Sequence, residues 1–314
     1  MLSRIADSLF WLNRYMERAD SLLRVASTHY ILSLDKDVNG SLTWKPVLEM
    51  YTALPPELIA NIEHDTIASL KKLLTDPDNS NSLRNLVGRA RENARGVQDH
   101  ITKEVWEEVN AMYHLMNQQT LNKMLQSYEV VEVLELFIKH CVQYTGVTDI
   151  TMSRGSGWIF MNLGKYIERS LSTITLTRKQ YEQIGYCIDD PQDIMHWRYL
   201  LQPLSGYETH LKQYRTANYN YNVLHQVLFN EEFPHSMVYS LGRVDRHLEE
   251  TFKRNPRSEE NAALMRCFGR LDSKVRYTDL ETLNNDNLQP YLNGLRSDLL
   301  SFIGQFSQHF FSYS

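Results

Sequence analysis

The 314-residue chain is long enough to bury a large core, and its 42% hydrophobic content is too high for disorder. A formal net charge of −5 argues against a general nucleic-acid surface. No uninterrupted apolar stretch approaches the roughly 20 residues that a membrane helix needs. The amino terminus carries charges unlike a signal peptide, and Cys141, Cys187 and Cys267 form no pair motif. These features predict a soluble, cytoplasmic protein with three reduced core cysteines.

From Ser3 to about Leu34, apolar residues Ile5, Leu9, Leu12, Met16, Ala19, Leu23 and Ala26 recur at steps of four and three. At about 100° per residue they form one stripe of a helix, with Ser3 placed as its N-cap. Phe10 lies nearly opposite that stripe, so several neighbours are expected around this helix. Comparable patterns run over 80–117, 128–147, 156–184, 233–254 and 288–311. Pro55-Pro56, Asp76-Pro77, Asp190-Pro191, Phe233-Pro234 and Asn255-Pro256 punctuate these runs. Alternating runs of strand length are missing, and the expected class is all-α.

Three blocks recur in the same order. Arg14-Tyr15-Met16-Glu17-Arg18 returns as Lys165-Tyr166-Ile167-Glu168-Arg169, and Trp44 with Leu48 returns as Trp197 with Leu201. Ser82 and Val87-Gly88-Arg89-Ala90 return as Ser236 and Leu241-Gly242-Arg243-Val244. The offset drifts only slightly, which predicts a single helical bundle, 1–314, made of two tandem halves, about 1–150 and 151–314, related by a pseudo-twofold axis. Gly88 and Gly242 are expected to allow close helix approach, at about 1 kcal/mol of helix propensity each.

Charged groups inside the repeated blocks are the candidate site. Glu17 and Glu168 sit three residues after Arg14 and Lys165, a spacing that allows pairing along one helix face. Arg18 and Arg169 point about 100° away and are free to reach another helix. Arg91 and Arg95, with Glu92 and Asp99, are read as one side of a long helix. Arginine rather than lysine there suits fixed carboxylate or phosphate partners. Arg4 and Arg154 stand at matched places, and Ser153-Arg154-Gly155-Ser156-Gly157 reads as a helix entry or an anion nest. The same acids and arginines could instead form buried ion pairs that set the register of the halves.

Metal and cofactor motifs are missing: Glu232-Phe233-Pro234-His235 straddles a proline turn, and no Cys-x-x-Cys, His-Glu-x-x-His or P-loop occurs. Neither a metal nor a cofactor is expected. Tyr214, Tyr219 and Tyr221 are read as packing residues.

The opening Leu2-Ser3-Arg4-Ile5-Ala6-Asp7 through Trp11-Leu12-Asn13-Arg14-Tyr15-Met16-Glu17-Arg18 resembles bacterial alpha-E domain proteins. So do Ala90-Arg91-Glu92-Asn93-Ala94-Arg95, Ser153-Arg154-Gly155, Tyr166-Ile167-Glu168-Arg169 and Phe233-Pro234 with Ser236. Lys165 and His235 depart from the resemblance, each standing where an arginine is common. The resemblance implies an all-helical protein that works beside a circularly permuted ATP-grasp protein, and often a transglutaminase-like protein, in peptide or amide-bond modification. Three readings follow. The chain is an accessory component handling a peptide or anionic small molecule through Arg4, Arg14, Arg18, Arg91, Arg95, Arg154 and Arg169. Alternatively it is an enzyme using Glu17 and Glu168 as acid–base groups, or a non-catalytic scaffold.

Overall fold

The computed structural model describes residues 2–34, 42–125, 129–190, 192–254 and 258–311, and among them every regular element is helical. The helices are α1 (Ser3–Ser33), α2 (Lys45–Tyr51), α3 (Pro56–Ile62), α4 (Thr66–Leu74), α5 (Leu83–Gly96), α6 (Lys103–Met116), α7 (Leu121–Met124) and α8 (Val130–Thr151). They continue as α9 (Ser156–Gln183), α10 (Arg198–Leu201), α11 (Tyr207–Gln213), α12 (Tyr219–Leu228), α13 (Met237–Arg254), α14 (Ser258–Arg276) and α15 (Leu288–Phe311).

The chain divides into two compact units, an amino-terminal unit of Trp11–Arg154 and a carboxy-terminal unit of Gly155–Ser314 together with Met1–Phe10. The first ten residues therefore pack with the later half of the chain. Phe10 explains why: its ring stacks on Phe306 at 5.0 Å and lies 5.2 Å from Phe311. It is fully buried, and burying such a side chain is worth about 1.5–3 kcal/mol. Gly164 of α9 completes the contact. A Cβ there would come within 2.2 Å of the Phe10 carbonyl oxygen, so only glycine lets these backbones meet.

Within the carboxy-terminal unit, α9 is the central helix and packs against α13 and α15, with α14 against α13 and α15. In the amino-terminal unit α5 packs on α6 and α6 on α8. The portion of α1 in this unit is tied in by Ser21 to Tyr51, at 2.9 Å, and by the Tyr144 hydroxyl, which donates to Asn13.

Side-chain caps mark the starts of α4, α5, α6 and α13. Asp65 accepts from the Ala68 amide (2.9 Å), Ser82 from Asn85 (3.4 Å), Thr102 from Val105 (3.4 Å) and Ser236 from Tyr239 (3.0 Å). Several sequence expectations are corrected here. The pattern over 80–117 is two helices rather than one, because α5 ends at Gly96 and Asp99 lies in the 3₁₀ turn Gln98–His100. Ser3 lies inside α1, whose first turn closes on the Leu2 carbonyl (Ala6 N–H, 3.1 Å), so Leu2 holds the cap position. Gly88 has nothing within 4 Å of a built Cβ, and Gly242 only an Arg276 nitrogen at 3.8 Å, so neither marks a close approach. Of the cysteines only Cys141 is buried; Cys187 and Cys267 are half-exposed.

Candidate functional site

The two Glu-Arg dipeptides both lie on long helices, and in each unit the arginine reaches the turn that precedes a capped helix. Arg18 of α1 donates to the Asn81 side chain at 3.1 Å, one residue before the Ser82 cap of α5. Arg169 of α9 donates to the Pro234 carbonyl at 3.3 Å, two residues before the Ser236 cap of α13. Thr173, one turn along α9, adds a bond to the His235 carbonyl at 2.8 Å. Hydrogen bonds from a charged donor are worth about 1.5–3 kcal/mol, so each arginine is a substantial tie between a long helix and its neighbour. Glu168 is only 2% exposed, whereas Glu17 is half-buried.

Each dipeptide is surrounded by stacked cations and aromatic rings. In the amino-terminal unit Arg14 is buried with its guanidinium 4.5 Å from the Trp11 ring, and Arg89 sits 5.9 Å from Tyr15. In the carboxy-terminal unit Lys165 and Arg169 lie 5.6 and 5.5 Å from the Tyr166 ring. Arg243 sits 4.9 Å from Tyr239 and donates to its hydroxyl at 2.9 Å. Such contacts are worth about 0.5–2 kcal/mol, more as water is excluded. Next to them His247 is 4% exposed, meets Trp158 edge-on at 5.1 Å and stacks on Tyr166 at 6.3 Å. Burial holds its imidazole neutral by lowering its pKa to about 4.

The other arginines are placed less centrally. Arg91 donates to Asn110 at 2.8 Å, approaches Glu92 at 3.3 Å and lies over Tyr113 at 4.4 Å, which locks α5 to α6. Arg95 is exposed and pairs with Glu92 at 3.8 Å. Arg154 is exposed, bonded to Asp149 at 3.0 Å and to the Met152 carbonyl at 3.3 Å, and Arg4 is exposed at the start of α1. The turn before α9 is capped by Gly155 without a side-chain bond. Arg14, Glu17, Arg18, Arg91, Arg95 and Arg154 thus belong to the amino-terminal unit, and Arg4, Glu168 and Arg169 to the other.

Sequence reasoning missed two sets of residues. The first is an acidic region in the amino-terminal unit. Buried Glu108 of α6 holds the Nδ1 of His140 of α8 at 2.6 Å, and Asp20 pairs with Arg24 at 2.8 Å. Burial pushes the neighbouring Cys141 thiol well up; the carboxylates Asp20, Glu17 and Glu108 add to the effect and Arg24 opposes it. A buried thiol held protonated is no nucleophile. Glu108 and His140 sit 32 residues apart in the sequence, with no spacing signal linking them. The second set is a pair of tryptophan nooks: Trp44 donates through Nε1 to Thr66 (3.1 Å), and Trp197 to Asn220 (3.2 Å). The repeated tryptophans signalled these nooks; their partners had no motif of their own.

Among the described residues no group of three or more His, Cys, Asp or Glu side chains is placed to hold a metal ion. Among the same residues no helix is long and apolar enough to cross a membrane.

Residues 1–311 match Alpha-E, described as "a predicted alpha-helical domain with a conserved ER motif". The chain belongs to the Alpha-E family. In this Alpha-E chain the Glu-Arg dipeptide occurs twice, at Glu17-Arg18 and at Glu168-Arg169. It is similar to "Uncharacterized protein Mb2597" of Mycobacterium bovis and "Uncharacterized protein MT2643" of Mycobacterium tuberculosis. Each is 23% identical to it over 96% of this chain and 35% of the relative. The Alpha-E chain spans about a third of the length of the curated relatives it matches. No solved structure matches it.

Proposed function

We propose that this Alpha-E chain is a helical accessory component, made of two tandem related halves, that handles substrate for an ATP-grasp-linked peptide or amide-bond modification system. The observation that carries the reading is the use of the Glu-Arg motif. Arg18 and Arg169 each tie a long helix to the turn before a capped helix, and Glu168 is sealed from solvent, which supports a bracing part for the motif beside any contact with substrate. A Glu168 carboxylate only 2% exposed fits a bracing part better than proton transfer to a substrate arriving from solvent.

The tandem halves are supported by matched local features. Long helices α1 and α9 each precede a tryptophan-capped short helix, and Ser82 and Ser236 cap the helices that follow. The ATP-grasp and transglutaminase-like partners rest on the family resemblance. Co-expression with the ATP-grasp protein tests this reading: a complex should co-purify, and no complex with or without nucleotide overturns it.

The rival reading, in which Glu17 and Glu168 are catalytic, draws on the half-buried Glu17, which with Asp20 and Glu108 is close enough to Cys141 to raise its thiol. It requires Glu17→Gln and Glu168→Gln to abolish turnover while leaving the melting temperature unchanged.

A further inference from the structure

Arg18 and Arg169 reach neighbouring turns, but the carboxy-terminal unit carries a second pair of arginines outside the repeated blocks. Arg178 lies near the end of α9 and Arg296 in the first half of α15, two helices that pack together. The Arg178 Nε donates to the Asn293 side chain at 2.7 Å. Asn293 and Arg296 are three residues apart on α15 and share a face, so the two guanidiniums are neighbours across the α9–α15 contact. Both arginines are half-buried. The Arg296 Nε is sealed from solvent without a hydrogen-bond partner among the described residues, which leaves its terminal nitrogens as the edge open to a ligand.

Local charge there is one-sided. Among the described residues no carboxylate is within ion-pair distance of either guanidinium. The acids nearest in sequence are held by other cations: Glu182, one turn past Arg178, by Lys179 at 2.8 Å, and Asp298, two residues past Arg296, by Lys274 at 2.8 Å. Burial, and then the Arg178 charge, lower the pKa of Arg296, and no acid opposes them. Like charges held together without an anion repel, more strongly as water is excluded. The polar groups beside them are donors. Asn293 has its oxygen occupied by Arg178 and presents its amide nitrogen. Burial raises the pKa of the nearby Tyr186 hydroxyl, with Arg178 opposing, Glu182 adding and Lys179 opposing, so it stays protonated.

From this set of donors we infer that Arg178 and Arg296 bind a phosphate group, whose negative charge offsets both guanidiniums and whose oxygens accept from their forks and from Asn293. A phosphate group brings several acceptor oxygens and close to two charges near neutral pH, whereas a carboxylate brings one charge. None of these residues belongs to the Glu-Arg motif and the test needs no partner protein, so this inference and the accessory-component reading fail separately.

Titration calorimetry of the full chain at pH 7.5 and constant ionic strength, with inorganic phosphate, glycerol 3-phosphate and acetate, tests it. The expected result is saturable one-to-one binding of both phosphates, with acetate at least tenfold weaker. Both sources support the proposal: tighter binding of glycerol 3-phosphate assigns the site to a phosphate ester, and equal or tighter binding of inorganic phosphate assigns it to the free ion. Arg296→Gln should weaken phosphate at least tenfold, whereas Arg246→Gln, which removes an exposed cation of α13, should leave it within twofold. Asn293→Asp alters an exposed position and keeps a partner for Arg178, so the fold is retained. Its carboxylate neutralises one guanidinium and should abolish phosphate binding. Equal binding of acetate, an equal loss in Arg246→Gln, full affinity in Asn293→Asp, or no binding of either phosphate overturns the proposal.

Discussion

Trp44 and Trp197 occupy matched places at the start of a short helix, yet their surroundings are built differently. In the amino-terminal unit the indole N–H meets a single hydroxyl, that of Thr66, and the nook borders a cleft. In the carboxy-terminal unit Asn220, 1% exposed, accepts from Trp197 and from the Gln192 amide, and donates to the Ile188 and Asp190 carbonyls at 3.0 and 2.6 Å. The Tyr181 ring packs tilted against Trp197 at 4.7 Å, and its hydroxyl donates to the Asn220 carbonyl at 2.5 Å. One residue type at a matched position thus decides whether the connection after the long helix is satisfied internally. Buried carbonyls need partners, and an amide with two donors and an acceptor supplies what a threonine cannot.

The sharpest way to break this comparison is at the glycines. Gly164→Ala forces a Cβ to within 2.2 Å of a backbone oxygen and should cost about 3 kcal/mol or more in denaturant unfolding. Gly88→Ala meets open space on a helix and should instead stabilise by up to about 1 kcal/mol. Next in size, Asn220→Ala leaves several buried groups unpaired and should cost about 3 kcal/mol, against about 1 kcal/mol for Thr66→Val. A similar loss for both would show that the two nooks are equivalent.

Acid should then strain both units alike. His29 and His247 are buried, and each has its pKa lowered to about 4 by burial. The unfolded chain takes up protons on these groups from about pH 6.5 downward, while the folded chain resists until about pH 4. Stability is therefore full above pH 6.5, falls through that window and levels below it, by up to about 3 kcal/mol for each histidine. Melting curves from pH 7.5 to 4 check this, and His247→Gln should flatten the share belonging to the carboxy-terminal unit.

Much of the fold was legible because the signals are local. The pattern over 288–311 matches α15 residue for residue, and that over 156–184 overruns α9 by one residue, since side-chain period alone sets these helices. The boundary inside 80–117 was hidden because the amphipathic pattern continues through the 3₁₀ turn at 98–100. At Gly88 and Gly242 the sequence showed small residues at matched places, but only coordinates say whether another backbone lies opposite; it does at Gly164. The candidate site was half legible. Repetition pointed to Glu17-Arg18 and Glu168-Arg169, but the targets of the arginines are a turn amide and a backbone carbonyl, which carry no pattern. Glu108 and His140 stayed invisible because their pairing depends on how α6 and α8 pack.

The bracing role of the motif is tested most directly by melting the full chain with Glu17→Gln and Glu168→Gln combined, while scoring capture of the ATP-grasp partner below the transition. Bracing predicts a melting temperature lowered by about 5 °C or more, with capture by the still-folded variant retained. An unchanged melting temperature together with lost turnover would contradict it and place the glutamates in chemistry.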